Sequence, residues 1–310
     1  MVNDSRVKKT KQNKKKRRWL LITGMIVLVL VLGVAGYVYS VYDSARKTVN
    51  EQMNTPLPSL DTERAKEKVA TREKLNILLL GVDKRAGDRG RSDSMILLTL
   101  DPKTDKMQMI SIPRDTRTLI VGKGFEDKIN HAYAFGGADM SVATVENMLD
   151  IDIDYYVEIN MEGLVDLVDA VGGITVQNEL DWHSDGFHYA KGELHLNGER
   201  ALGYVRMRKQ DPQGDFGRTK RQREVIEAII KKGVSIASVP KIHDMIDILG
   251  DNVATNMDFD DMQNLLLNYR NTTKSSETYM LQGKGTRIDG IYYYIVPDEE
   301  LAKVHEMIVS

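Results

Sequence analysis

LNILLLGV, residues Leu75–Val82, is the stretch of sequence that decides the fold, and it marks the start of the folded domain. It is a continuous apolar run followed by a polar loop, which is the pattern of a buried strand. SMILLTL at Ser94–Leu100 predicts a second buried strand, and KMQMISIP at Lys106–Pro113 alternates as a third. The polar residues 101–105 between these two runs predict a turn.

Helices are expected between and after further strands. The predicted helices are Ser141–Leu149, Glu162–Val171, Asn197–Tyr204, Thr219–Lys232, Pro240–Leu249, Asp258–Asn271 and Asp298–Ile308. The predicted later strands are Tyr155–Ile159, Ile174–Val176, Glu277–Leu281 and Tyr292–Val296. Strands mixed with helices throughout predict an α/β sandwich in which helices cover both faces of the sheet.

The beginning of the chain predicts a membrane anchor. Residues 1–18 carry nine Lys or Arg against one Asp, and residues 19–42 are an uncharged stretch rich in apolar side chains. Its apolar run has about the 20 residues that a helix needs to cross a bilayer. The positive-inside rule then predicts a cytoplasmic basic tail and a domain outside the cell, as in a single-pass type II protein. A cleaved signal peptide, cut near residues 33–35, is the alternative, but its apolar core would be unusually long.

The rest of the chain divides at residue 75. Residues 43–74 are polar and charged, and we interpret them as a partly helical stalk, with packing of some of this segment on the domain as the alternative. Residues 75–310 are interpreted as the extracytoplasmic domain. The chain has no cysteine, which excludes disulfides, thiolate nucleophiles and thiolate metal sites. It also lacks the GxxxxGK[ST], HExxH and GxSxG motifs.

VRMRKQDPQGDFGRTKRQ, residues Val205–Gln222, gathers arginines around one glycine-bearing turn. The four arginines are Arg206, Arg208, Arg218 and Arg221. A guanidinium is a permanent cation whose planar donor fork fits two phosphate oxygens at once. The stretch therefore predicts a phosphate or pyrophosphate site, and a solvated charged helix face is the alternative. We call residues 206–218 the arginine loop from here on.

Two carboxylates flank the first two strands. Asp83 directly follows Leu75–Val82, and Asp93 directly precedes Ser94–Leu100. If these strands are neighbours, both carboxylates lie at one sheet edge, where they could share a divalent cation with a substrate phosphate. Two ordinary loop aspartates are the alternative.

The end of the third strand carries IPRD, residues 112–115. Asp115 could orient the Arg114 fork, and ligands usually bind at strand ends in α/β sheets. A surface ion pair is the alternative. Asn130 and His131 follow in a loop and are weaker candidates, since a lone histidine is more often structural.

These motifs together resemble the LytR–CpsA–Psr family of cell-wall polymer ligases, and within it the teichoic acid transferases of Bacillus-like bacteria. The motifs are NILLLGVD (76–83), GRSDSMILLTLD (90–101), MISIPRDT (109–116), KINHAYAFGG (128–137), VGGI (171–174) and YVRMRKQDPQGDFGRTKRQ (204–222). They occur in order within residues 75–232.

The resemblance implies a mixed sheet between helices, with an apolar groove for a polyprenyl chain. It implies transfer of a polymer, with its phosphate, from an undecaprenyl-pyrophosphate-linked precursor to a muramic acid hydroxyl of peptidoglycan. Undecaprenyl phosphate is released. The expected partners are thus the lipid-linked polymer, peptidoglycan and the bilayer, and no nucleic acid.

The resemblance also implies roles for individual residues. Asp83 and Asp93 match Mg²⁺ ligands, with Mn²⁺ as the alternative ion. The expected pyrophosphate contacts are Arg114, Arg206, Arg208 and Gln222, with Arg218 and Arg221 in the same lining and Arg85 and Arg91 near the metal. Asp93 is the candidate that accepts the hydroxyl proton, and Asp215 is the alternative.

Two other functions use the same residues. A membrane-anchored regulator would bind lipid phosphate or polymer without turnover. A lipid pyrophosphate hydrolase would pass the phosphate to water.

Overall fold

The structure is a computed structural model that describes residues 25, 28, 30–33, 35–83, 90–236, 249–250 and 252–310. Most of the predicted anchor, Arg85 and nearly all of the predicted helix Pro240–Leu249 lie outside the described residues. Within the described part of the chain, no helix is both long and apolar enough to cross a membrane.

The described residues form a domain of short strands and seven numbered helices. The strands are β1 (Leu75–Val82), β2 (Ser92–Asp101), β3 (Lys106–Ser111), β4 (Arg117–Leu119), β5 (Glu126–Lys128), β6 (Tyr155–Asn160), β7 (Ile174–Asn178), β8 (Trp182–Ser184), β9 (Phe187–Tyr189), β10 (Gly192–Leu196), β11 (Val253–Thr255), β12 (Ser275–Met280), β13 (Lys284–Ile288) and β14 (Ile291–Ile295). The helices are α1 (Thr62–Thr71), α2 (His131–Leu149), α3 (Met161–Ala170), α4 (Gly198–Arg206), α5 (Asp215–Ile236), α6 (Phe259–Tyr269) and α7 (Asp298–Val309).

A six-stranded sheet with the order β11-β6-β1-β2-β3-β12 lies at the centre. β1 runs antiparallel to β2 and parallel to β6, and β3 runs antiparallel to β2 and parallel to β12. The sheet is therefore mixed, as the resemblance implied. β1 and β2 are neighbours, because both are long apolar runs joined by a connection at one edge.

Helices cover both faces of this sheet, which confirms the predicted sandwich. Side chains alternate along β1, so that Leu78 and Leu80 pack on one face, while Leu75 and Ile77 pack on the other. Apolar residues of α2 and α7 cover the first face, and those of α1, α5 and α6 cover the second. The domain therefore has two core layers separated by the sheet.

A separate apolar cluster supports the arginine loop. It joins α3, α4, the middle of α5 and the β7–β10 pair, with the buried rings of Trp182, Tyr189 and Tyr204 among its members. Trp182 and Tyr204 stack with ring centroids 5.4 Å apart. This cluster fixes both ends of the loop that connects α4 to α5.

Parts of residues 41–74, before β1, pack on the domain. Residues 35–48 form a helix, here called the leading helix, which continues as a π-helical turn at Val49–Met53. Ala45, Val49 and Met53 are buried against Phe259 of α6. Ala65 and Val69 of α1 enter the core beside β1. Some of residues 43–74 therefore pack on the domain, which was the alternative to a free stalk.

The predicted strands β1, β2 and β3 and the predicted helices that fall within the described residues have the expected types, but several boundaries differ. α2 begins at His131 rather than Ser141, and α5 begins at Asp215 rather than Thr219. The sequence analysis did not predict α1, the five-residue strands β10 and β13, or the three-residue strands β4, β5, β8, β9 and β11. A three-residue strand is less than two repeats of the side-chain alternation, so periodicity cannot reveal it.

Candidate active site

Asp83 and Asp93 lie at the same end of the central sheet. Because β1 and β2 are antiparallel, the end of one strand meets the start of the other. Gly81 pairs with Ser94 and Val82 pairs with Ser92, so a β-bulge on β2 contains Asp93. The predicted placement of both carboxylates at one edge is therefore correct.

Arg114 follows β3 and reaches back to this edge. Its Nη1 lies 2.9 Å from Asp93 Oδ1, and its Nε lies 3.6 Å from Asp215 Oδ2 and 3.8 Å from Asp115 Oδ2. Burial lowers the pKa of the Arg114 guanidinium, but the three carboxylates outweigh burial and raise it. Arg114 is thus a cation surrounded by three carboxylates.

Arg218, in the first turn of α5, joins the same cluster. Its Nη2 lies 2.5 Å from Asp215 Oδ1, and its side chain is 14% exposed. Burial lowers the pKa of Arg218, and the positive charges of Arg114 and Arg208 lower it further. The guanidinium groups of Arg114 and Arg218 therefore converge near Asp93, and the charge of Arg208 acts on Arg218.

This cluster contains donors that the described residues do not use. Arg114 Nε and Arg218 Nε are both buried, and neither has a hydrogen-bond partner among the described residues. A buried donor without an acceptor is costly, typically by about 1–3 kcal/mol. An anion that enters the cluster would supply the acceptors, so the arrangement is suited to binding one.

Arg221 lies apart from that cluster. Its guanidinium donates to the carbonyls of Tyr204 at 3.1 Å and Met207 at 2.5 Å, and its Nη1 lies 2.5 Å from Asp211 Oδ2. It is 5% exposed and packs 5.5 Å from the centre of the Trp182 ring. The structure therefore does not bring Arg221 into the lining with Arg114 and Arg218; it clamps the arginine loop to α5.

The remaining predicted residues lie on the segments next to the cluster, namely the end of α4, the arginine loop, α5 and the connection between β1 and β2. Arg206, which is exposed, and Asp83, which is partly buried, line one cavity of about 530 Å³ together with acidic residues of α3 and α4. Arg208 is exposed, and its charge acts on Arg218. Arg91 is exposed beside Asp83, whose backbone N–H donates to the Arg91 carbonyl at 3.3 Å. Gln222 is partly buried on α5.

Asn130 and His131 belong to a second network behind Arg114. The Asn130 N–H donates to the Arg114 carbonyl at 3.3 Å. His131 Nδ1 lies 2.7 Å from Asp127 Oδ2, and Lys128 Nζ lies 2.7 Å from Asp115 Oδ1. These contacts fix the loop that carries Arg114.

Two residues that the sequence reading did not single out support the site. Asp211 is the buried partner of Arg221, and Gly217 lets it approach, because a Cβ there would lie 1.8 Å from Asp211 Oδ2. Arg223 Nη1 donates to Ser111 Oγ at 3.0 Å and so joins α5 to β3. Gly217 inside the predicted basic stretch was the signal for the close approach, whereas nothing in the sequence distinguished Arg223.

An apolar cavity of about 550 Å³ lies on the α5 face of the sheet. Its lining includes Val41 and Tyr42 of the leading helix, Leu98 and Leu100 of β2, Ile230 of α5 and Phe259 of α6. α5 contributes Arg218 to the charged cluster and Ile230 to the cavity; twelve residues of helix span about 18 Å. One helix therefore links a charged site to an apolar one.

Comparison with known proteins agrees with this architecture. The model of the LytR_cpsA_psr family matches residues 35–308. The polyisoprenyl-teichoic acid–peptidoglycan teichoic acid transferase TagU of Bacillus anthracis is 51% identical over 274 residues, which cover 88% of this chain and 90% of that protein.

Solved structures give the same relationship. The crystal structure of B. subtilis TagU matches with a TM-score of 0.63 and 45% identity, over 76% of this chain and 95% of that one. A structure of TagT bound to LI-WTA matches with a TM-score of 0.68 and 34% identity, over 82% of this chain and 98% of that one. The chain therefore belongs to the LytR–CpsA–Psr family and is a transferase.

Proposed function

We propose that this transferase moves an anionic cell-wall polymer, such as wall teichoic acid, from an undecaprenyl-pyrophosphate carrier to a muramic acid hydroxyl of peptidoglycan. The polymer keeps its proximal phosphate, and undecaprenyl phosphate leaves. The observation that carries the proposal is the convergence of Arg114 and Arg218 near Asp93, because Arg218 lies on α5, a helix that also lines an apolar cavity. The names of the relatives support the same reaction class.

The arginines would bind the pyrophosphate and stabilise its transition state. Phosphoryl transfer asks a protein mainly for positioning and for charge stabilisation. Arg114 and Arg218 each have a buried Nε without an acceptor among the described residues, so phosphate oxygens can bind there without first displacing a hydrogen bond at that atom. Arg206 and Arg208 are exposed at the rim and would contact the polymer-side phosphate.

A divalent cation fits the carboxylates at the sheet edge. Asp83 directly follows β1 and Asp93 lies on the adjacent β2, and their carboxylates offer the hard oxygen donors that Mg²⁺ prefers, with Mn²⁺ as the alternative ion. Arg114 pairs with Oδ1 of Asp93, which orients that carboxylate. When bound, the cation would supply charge neutralisation at the phosphate oxygens. Arg85 and Arg91 would lie near it.

The acceptor hydroxyl needs a group that takes its proton. Asp93 is our candidate, and Asp215 is the alternative, since both carboxylates contact Arg114. A pyrophosphate that binds Arg114 would compete with these carboxylates for the guanidinium. Binding of the donor would thereby free a carboxylate oxygen to accept the proton.

The apolar cavity is the proposed site of the polyprenyl chain. Leu98 lies five residues beyond Asp93 on β2, which is about 17 Å along the strand. The lipid would therefore run along the α5 face from the charged cluster toward the leading helix. We further propose that residues 19–42 anchor the protein in the cell membrane, with residues 1–18 cytoplasmic and the catalytic domain outside the cell, in the plane where its lipid-linked donor resides.

A transfer assay tests the proposal. The full-length chain in detergent micelles is incubated with undecaprenyl-pyrophosphate-linked polymer, Mg²⁺ and peptidoglycan, and the products are separated. We expect polymer covalently attached to peptidoglycan through a phosphodiester, with release of undecaprenyl phosphate and loss of activity in EDTA.

The other outcomes identify the competing functions. Free phosphorylated polymer without attachment would mean hydrolysis. Binding of the donor without any product would mean a regulator. Either result, obtained with well-folded protein and competent acceptor, overturns the proposal.

A further inference from the structure

The β8–β9 hairpin holds two histidines side by side on its exposed face. A two-residue turn joins the strands, and both Asp185 and Gly186 have positive φ, which is typical of a tight type I′ turn. His183 and His188 are directly opposite each other in the register. Their rings stack with centroids 4.3 Å apart and planes inclined by 8°.

Asp181 completes a three-residue group on that face. Residues two apart on a strand point to the same side, so Asp181 and His183 share a face, while Trp182 between them is buried. His188 Nε2 lies 3.2 Å from both carboxylate oxygens of Asp181. The three ligand atoms all lie within 4.8 Å of one another, and within the described residues no other set of three His, Asp or Glu side chains is this close.

We propose that Asp181, His183 and His188 bind a transition-metal ion of the Zn²⁺ class. Imidazole nitrogens with one carboxylate suit Zn²⁺, Ni²⁺ or Cu²⁺, whereas Mg²⁺ prefers oxygen ligands. Tetrahedral bonds of 2.0–2.1 Å place ligand atoms about 3.3–3.4 Å apart. The His188–Asp181 separation of 3.2 Å already matches this spacing. His183 is exposed, so a rotation of its side chain would bring a ring nitrogen to the same spacing from the other two ligand atoms.

The hairpin contacts the arginine loop, so a bound ion would also act on that loop. Gln210 Nε2 donates to the His183 carbonyl at 3.0 Å. Trp182, between the proposed ligands Asp181 and His183, packs with its ring centre 5.5 Å from the Arg221 guanidinium that clamps the loop. An ion that joins β8 to β9 at their exposed face therefore stiffens the support of the arginine loop.

This site is distinct from the carboxylates Asp83 and Asp93, and its test does not depend on transfer. Untagged, metal-free full-length chain in detergent micelles is titrated with Zn²⁺ against a chromophoric chelator. The variants are His183→Asn and His188→Asn. The matched control is His195→Asn, because His195 is also exposed, on β10, the next strand along the chain, and its Nε2 lies 4.0 Å from Glu193 Oε1.

We expect one Zn²⁺ per chain, unaffected by excess Mg²⁺. Each of the two hairpin substitutions should weaken binding at least about tenfold, while His195→Asn binds as the wild type does. Zn²⁺ should raise the Tm of the wild type and of His195→Asn but not of His183→Asn, since a ligand stabilises the state that binds it. Circular dichroism without metal checks that each variant folds.

The proposal is overturned if the wild-type chain takes up no Zn²⁺ in this competition. It is equally overturned if His183→Asn and His188→Asn bind as tightly as the wild type, or if Mg²⁺ displaces the ion.

Discussion

Arg218 and Arg221 lie three residues apart on α5 and represent two regions with opposite properties. Arg221 uses its donors on Tyr204, Met207 and Asp211, and it is 5% exposed. Arg218 pairs with Asp215 but leaves a buried Nε without an acceptor among the described residues. We call the surroundings of Arg221 the closed region, because its guanidinium is buried and its donors have acceptors. We call the surroundings of Arg218 the open region, because an anion could accept the hydrogen bond that its Nε does not make.

The difference teaches that a shared motif does not give its arginines a shared role. Both residues belong to one basic stretch, and both have planar donor forks. Their roles differ because backbone carbonyls surround one guanidinium, whereas carboxylates and other guanidinium groups surround the other. The acceptors around each fork, rather than the residue type, distinguish a clamp from a binding site.

The largest expected effect is a loss of folding stability when Arg221 of the closed region is replaced. Arg221→Ala should lower the free energy of unfolding by about 3–5 kcal/mol, because it leaves a buried carboxylate unpaired. Asp211, that partner, has a side chain that is only 4% exposed. Urea unfolding followed by tryptophan fluorescence measures the loss. A decrease below 1 kcal/mol would mean that Arg221 is not a clamp.

The next largest effect is a decrease in the transfer rate when arginines of the open region are replaced. Arg114→Ala and Arg218→Ala should each lower the transfer rate about 10²–10³-fold, since each removes a preorganised donor. Arg114→Lys should lose much of the same activity, because an ammonium keeps the charge but lacks the fork. The assay is polymer attachment to peptidoglycan, at saturating donor.

Arg287→Ala is the matched control for these substitutions. Arg287 is exposed on β13, and its guanidinium donates to the Gly290 carbonyl at 3.5 Å. Its replacement should leave the transfer rate unchanged. Full activity in a folded Arg114→Ala protein would remove Arg114 from the site.

A smaller effect is expected in the apolar cavity at the far end of α5. Ile230→Trp fills part of the cavity and should raise KM for the lipid-linked donor about tenfold, or 1.4 kcal/mol, with little change in kcat. Leu119→Trp, on exposed β4, is the control. An unchanged KM would place the polyprenyl chain elsewhere.

The smallest effect concerns Glu224, which receives a hydrogen bond from the Tyr204 hydroxyl at 2.9 Å beside the clamp. Burial raises the pKa of Glu224 above its ordinary value of 4.5, although the hydrogen bond opposes the rise. The protonated carboxyl is therefore favoured in the folded state, so its contribution to stability is present below pH 4.5 and is lost as pH rises through the folded pKa.

Glu224→Gln keeps an acceptor for Tyr204 and removes this titration. The variant should be more stable than the wild type at pH 7, and the difference should shrink as pH falls below 4.5. Melting curves across this pH range measure it. A constant difference at every pH would contradict the role of burial.

The parts of the site that depend on strand order could be predicted from the sequence. Asp83 and Asp93 could be placed together because two long apolar runs flank one connection, and neighbouring strands bring those ends together. Arg114 could be placed there because ligands favour strand ends. The central sandwich followed from the same runs.

The separation of Arg218 from Arg221 could not be predicted, because it depends on where α5 begins. The apolar periodicity indicated a start at Thr219, which would leave Arg218 in the loop; the helix begins at Asp215. This start orients Arg218 toward Asp93 and Arg221 toward Met207, and it depends on tertiary contacts such as the Asp211–Gly217 approach.

Binding of a short-chain polyprenyl-pyrophosphate sugar to the full-length chain tests the central claim most directly. Affinity is measured for the wild type, Arg218→Ala and Arg221→Lys, each corrected for its folded fraction. We predict that Arg218→Ala loses most of the affinity, whereas folded Arg221→Lys retains it. Wild-type affinity in folded Arg218→Ala would contradict the assignment of the open cluster as the pyrophosphate site.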